Sequence, residues 1–168
     1  MNNTLKHAAS VALLSTLPLI TYAHGTKKED GHDDAKKIDY SHAEQHPFGR
    51  ASDPAKAKRT ITVDMSDQMR FTPDKLEVNR GDTVRIVVRN LGKINHEMVL
   101  GTDATLHEHA EVMKKFPGME HEEPYMAHVD PGKEYVMGWQ FTDAGTFSFG
   151  CLIPGHFDAG MKGTVVVR

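Results

Sequence analysis

The densest chemistry in this sequence lies near its C-terminus. Cys151, His156 and Met161 follow one another at five-residue intervals inside Phe147–Thr164. They offer a thiolate, an imidazole and a thioether. Thiolate and thioether are soft donors that suit Cu(I), and imidazole suits copper in both oxidation states. Pro154-Gly155 is a turn signal between the first two, so the chain doubles back there. Cys151 is the sole cysteine, which rules out an intramolecular disulfide. A lone thiol is reactive, paired between chains, or protected by a metal. A second imidazole must come from elsewhere, and His96, at the start of an apolar run after Leu91-Gly92-Lys93, is the best-placed candidate. Two His, one Cys and a weak axial Met form a trigonal site that accepts Cu(II) and Cu(I) with little rearrangement, as in blue-copper electron transfer. The plain alternative is an inert buried cysteine and a core methionine, which leaves the joint pattern of four residues unexplained.

The elements that would position these residues are short and have period two. Candidate strands cover 60–65, 75–78, 83–90, 96–100, 134–141, 146–151 and 163–167. Val84, Ile86 and Val88 alternate with Arg85 and Arg89, the pattern of a half-buried strand. Asn79-Arg80-Gly81-Asp82, Asp130-Pro131-Gly132 and Asp143-Ala144-Gly145 punctuate the runs. About seven or eight such strands point to an all-β sandwich. Phe147, Phe149 and Cys151 share strand parity, so Cys151 points inward. One segment breaks the pattern. Thr105-Leu106-His107-Glu108 has the form of a capping box, and Leu106, Ala110 and Met113 follow at helical spacing. This predicts a helix over about 103–116, inside an insertion of about 102–128 in a domain of 59–168.

The remainder of the chain bounds the function. Residues 1–23 have the form of a cleaved export signal: Lys6, an apolar core from Ala8 to Ile20, and small residues at Thr21 and Ala23. That core is shorter than the ~18 residues a membrane span needs. The expected location is the periplasm, with no membrane span. Residues 24–58 are polar and nearly free of large apolar groups, which predicts a flexible tail. Its His24, His32, His42 and His46 are either incidental to a solvated linker or a copper-collecting arm. The net charge of −3 argues against a nucleic-acid partner, which needs a basic surface. No phosphate-binding loop or serine-nucleophile motif is present, so no enzyme activity is expected.

A second cluster lies between His96 and Cys151. Met119-Glu120-His121 and Met126-Ala127-His128 repeat a Met-x-His spacing, and His107, His109 and Met113 lie on the predicted helix. Two readings stand. The helix caps the sandwich with Met as filler and the histidines are solvated, or Met119, His121, Met126 and His128 form an additional copper site.

Three stretches carry a family resemblance: Cys-Leu-Ile-Pro-Gly-His with Met161 after it, the final Gly-Met-Lys-Gly-Thr-Val-Val-Val, and the upstream Asn95-His96-Glu97. By these, residues 60–168 resemble bacterial cupredoxins of the azurin, plastocyanin and auracyanin kind, and more narrowly the exported copper-tolerance cupredoxins called CopI. The resemblance implies the Greek-key cupredoxin fold and a type 1 copper centre with His96, Cys151 and His156 as strong ligands and Met161 as the axial one. Many cupredoxins have Asn after the first His ligand. Here Glu97 stands there, and Asn95 replaces the Gly that azurin has before it. The implied activity is one-electron transfer with a redox partner protein, by a monomer, in copper tolerance. The competing reading is a copper-sequestering or delivery module. A copper oxidase or nitrite reductase would need further histidine-rich centres.

Overall fold

The computed structural model describes residues 38–119 and 121–168. The expected export signal, with His24 and His32, lies outside them.

Among the described residues ten strands form two five-stranded sheets, the longer of them built on alternating β-branched and polar residues. The first sheet is ordered β1 (Arg50–Ala51), β8 (Glu134–Gln140), β5 (Thr83–Asn90), β2 (Arg59–Ser66) and β3 (Arg70–Thr72). The second is ordered β4 (Lys75–Val78), β10 (Lys162–Val167), β9 (Gly145–Gly150), β6 (His96–Gly101) and β7 (Met126–Val129). The β2–β5 and β4–β10 pairs are parallel and the others antiparallel. Val84, Ile86 and Val88 of β5 share one apolar core with Phe149, Val165, Met98 and Trp139.

Strand β6 is buried along its whole length, because both of its faces are covered. Met98 and Leu100 enter the core between the sheets. Val99, on the other face, meets Leu106, Ala110 and Met113 of helix α1 (Asp103–Lys115), the one α-helix among the described residues, together with Met126, Leu152 and Phe157. The helix therefore acts as a third layer over β6. Gly101 lets it approach, since a Cβ there would press on Leu106 and Thr105.

Several details differ from the sequence reading. The additional strands β1, β3 and β7 are too short to show period two. The final strand begins at Lys162, with Met161 immediately before it. The cap of α1 is Thr102, whose hydroxyl accepts from Thr105 N–H while the Thr105 hydroxyl accepts from Thr102 N–H. Thr105 is thus the reciprocal partner in the box, not its first residue. The expected tail over 24–58 also needs correction in its described part. Arg50–Ala51 pair with β8, Phe48 is buried, and its carbonyl accepts from Trp139 Nε1 at 2.7 Å. His46 and Phe48 stack in line with the Trp139 ring. Phe48 and Ala51 are buried, Tyr40 and Ala43 pack against the same core, and the Trp139 indole finds its buried acceptor in this segment.

Candidate metal centre

Cys151 is the first residue after β9 and is fully buried. The ten residues that follow fold back on themselves. Cys151 N–H donates to the Met161 carbonyl, Met161 N–H to the His156 carbonyl, and His156 N–H to the Ile153 carbonyl, each at 3.0 Å. Gly155 and Gly160 take φ of +89° and +94°, a region open to glycine at little steric cost. This closed loop sets His156 Nδ1 3.2 Å from Cys151 Sγ. Met161 is fully buried beside them.

His96 arrives from the other side of the loop. The β5–β6 turn is held by Asn90, a buried amide. Its Nδ2 donates to the carbonyls of Ile94 and Val129, and its Oδ1 accepts from Gly92 N–H. The turn delivers His96, 1% exposed, to the inner face of β6. One nitrogen each of His96 and His156 and the sulfur of Cys151 all lie within 4.8 Å of one another.

The His96 ring is oriented by Asp67, from the β2–β3 turn. Asp67 Oδ1 lies 3.1 Å from His96 Nε2, and both of its oxygens accept from Lys93 N–H. That backbone donation holds the Asp67 carboxyl below its ordinary range. An ionised carboxylate only accepts, so the His96 proton sits on Nε2. The other ring nitrogen, Nδ1, is buried and without a hydrogen-bond partner. Such an orphan is rare in a protein interior, and a carboxylate–imidazole pair of this kind typically orients metal-ligating histidine. A Cβ at Gly92 would collide with the Asp67 carboxylate, which explains the glycine in the turn.

Glu97 points the opposite way from His96, as strand alternation requires. It is 3% exposed. Its Oε1 accepts from Leu152 N–H at 2.7 Å, and its Oε2 pairs with His128 Nδ1 at 2.9 Å. It therefore pins the loop residue next to Cys151 to β6.

Electrostatics set the metal-free state of the centre. Burial pushes the Cys151 thiol up to about 12. Burial, with His96 nearby, pushes the His156 imidazole down, so it is neutral at pH 7. A buried thiol and two imidazoles, one of them with an orphaned nitrogen, fit a soft, borderline metal such as copper.

The second cluster takes a different shape from the one expected. Met126 is buried in the apolar layer beneath α1. Met119 is 43% exposed. His128 is engaged by Glu97, and its Nε2 reaches the His121 carbonyl. His121 instead meets His109 of α1, Nε2 to Nε2 at 2.8 Å. His109 belonged to the cluster read from the sequence, but its pairing with His121 was not legible there; Asp67 and Asn90 carry no local signal that would have singled them out. Asp67 in particular reads as an ordinary hairpin residue.

Known proteins with the same features are consistent with this geometry. The family model described as copper binding proteins, plastocyanin/azurin family, matches residues 57–168. The "Copper-resistant cuproprotein CopI" of Rubrivivax gelatinosus is 49% identical, over 88% of this chain and 90% of that protein. The protein of the same name from Pseudomonas aeruginosa is 35% identical, over 76% of this chain and 86% of that one. In fold, an auracyanin from Roseiflexus castenholzii superposes with a TM-score of 0.58 at 20% identity, covering 67% of this chain and 98% of that one. With a match running from just before β2 to the last residue and near-full-length relatives, the chain belongs to the plastocyanin/azurin family of copper-binding proteins.

Proposed function

We propose that this protein holds one type 1 copper through His96, Cys151 and His156, with Met161 as the weak axial donor, and passes single electrons. The observation that carries the reading is the buried, unpartnered His96 Nδ1, in a group whose sulfur and second imidazole are already in contact. Bound copper would supply a Cu(II)/Cu(I) couple. The protein's part is to hold the donors still. The loop is closed by its own backbone bonds, Glu97 ties it to β6, and Asp67 locks the His96 ring. A donor set that does not move lowers the rearrangement that one-electron exchange requires. His96, Cys151 and Met161 are buried while His156 is half-buried, which supports His156 as the edge where electrons enter and leave.

The names of the relatives support a role in copper tolerance, and the form of residues 1–23 supports a periplasmic location. Among the described residues no helix is long and apolar enough to cross a membrane. We read the protein as a carrier and not an enzyme. A second reading, copper sequestration or delivery with little electron transfer, is favoured by the resistance names alone.

The deciding experiment is a Cu(II) titration of the purified protein with visible absorption, metal analysis and voltammetry. An intense band near ~600 nm, or with a component near ~450 nm, saturating at one copper with a reversible couple supports the carrier. The band without a reversible couple supports sequestration, and no intense band removes the thiolate centre. Met161→Leu should keep the band and raise the potential, since a weak donor is lost. An unchanged potential would count against Met161 as the axial donor.

A further inference from the structure

We infer that His109 and His121 form a second copper site, on the outer side of the helical layer, which takes Cu(II) through the two Nε2 atoms with water completing the coordination. The site is separate from the thiolate centre and shares no donor with it.

Two observations carry this. First, the two Nε2 atoms face each other at 2.8 Å, with ring centroids 4.7 Å apart and the rings tilted by 44°. Two imidazole nitrogens, each ~2.0–2.1 Å from one first-row divalent ion and at right angles across it, lie about 2.8–3.0 Å apart. Tetragonal nitrogen and oxygen coordination of that kind is the preference of Cu(II). Second, protein partners do not saturate the pair. His121 Nδ1 is buried with no hydrogen-bond partner, and between the two Nε2 atoms there is room for only one shared proton.

The surroundings define what kind of site this is. Both residues are half-buried, so the ion would be reached from solvent and would keep water ligands. His128 is not free to join, since Glu97 and the His121 carbonyl engage both of its ring nitrogens. Its contact with the His121 backbone instead braces the segment that carries His121. Imidazole and water ligands favour copper among the divalent first-row ions. No thiolate is present, so the site would lack an intense visible band.

The test uses the full chain, titrated with Cu(II) alone and followed by equilibrium dialysis and electron paramagnetic resonance. The His109→Asn/His121→Asn double variant is compared with the wild type. Histidines outside the pair are common to both proteins and cancel in the difference. The expected result is one more Cu(II) bound by the wild type, with a tetragonal, nitrogen-coupled signal. Each single variant should weaken that extra uptake by at least about tenfold, the low end of what even outer-shell changes cost a metal site. Equal stoichiometry and equal affinity in the wild type and the double variant would overturn the site. An unchanged thiolate band and circular dichroism in the variants would show that the fold is intact. Should the double variant not fold, His109→Asn on the helix surface alone decides. If the wild type shows no thiolate band, the difference in uptake still reads the histidine pair, so the two assignments fail separately.

Discussion

Two regions of this protein gather histidine, and adjacent residues of one strand serve both. His96 points inward to Cys151 and His156, and Glu97 points outward to His128, behind the His109–His121 pair. The inner region is largely buried, and its donors come from the start of β6 and from the β9–β10 loop, which meet at one end of the second sheet. Each is held by a dedicated contact: Asp67 on His96, Glu97 on the loop, and Met161 on the backbone of Cys151. The outer region has two facing imidazoles, half exposed, one on a helix and one in the chain that follows it. Enclosure and preorganisation suit a couple that must change charge without moving its ligands. An open pair suits an ion that arrives and departs.

The sharpest way to break this comparison is Cys151→Ser. The intense visible band should vanish completely, because the thiolate is its donor, while copper uptake by His109 and His121 continues. A band that survived would refute the thiolate centre, and uptake lost at both regions would merge them into one site.

Glu97→Ala should cause the next largest effect. It leaves Leu152 N–H without its buried acceptor and removes the partner of His128. Losing a buried, charge-assisted contact of this kind costs about 3 kcal/mol. Thermal unfolding of the metal-free protein should show a drop for Glu97→Ala and a smaller one for Glu97→Gln, whose amide oxygen still accepts from Leu152. If both variants unfold with the wild type, Glu97 does not tie the loop to β6.

The pH dependence of copper affinity should then separate the regions. Burial holds the Cys151 thiol protonated up to about 12, so copper must displace that proton throughout the neutral range. Affinity at the thiolate centre should rise about tenfold per pH unit and fall equally as pH drops. The outer pair has no thiol to ionise, and His109 is already neutral at pH 7, so its slope should be shallower. Affinities measured at pH 6, 7 and 8 with equal slopes would remove the distinction.

The smallest effect is expected for Asp67→Asn. The amide oxygen can still accept from His96 Nε2, but the negative charge is gone. Removing an outer-shell partner weakens a metal site about 10–100-fold. A tenfold loss for Cu(II) relative to Cu(I) raises the potential by about 59 mV. Voltammetry showing no rise would mean that Asp67 orients the ring without tuning it.

What could be seen in the chain alone followed sequence distance. Cys151, His156 and Met161 lie in one loop, and Pro154-Gly155 states its turn, so the spacing itself carries the geometry. The alternation in 83–90 and the helical spacing of Leu106, Ala110 and Met113 are likewise local, and the structure has the strand and the helix where they predict them. The strands Arg50–Ala51, Arg70–Thr72 and Met126–Val129 are not legible. Each is two to four residues long, and its conformation is set by the neighbouring strand it pairs with. Phe48 is singled out only by the tertiary structure, where its carbonyl accepts from Trp139 Nε1.

The sequence by itself therefore determined the donor types, the sandwich that carries them and the family. Tertiary structure alone decided which nitrogen of His96 is free, because that depends on Asp67, 29 residues away. It also decided that His121 meets His109 while Met126 is drawn into the apolar layer under the helix. A two-residue spacing such as Met-x-His states which side chains are near in the chain. Which of them turns inward is settled by the apolar area that each can bury against elements the spacing does not contain.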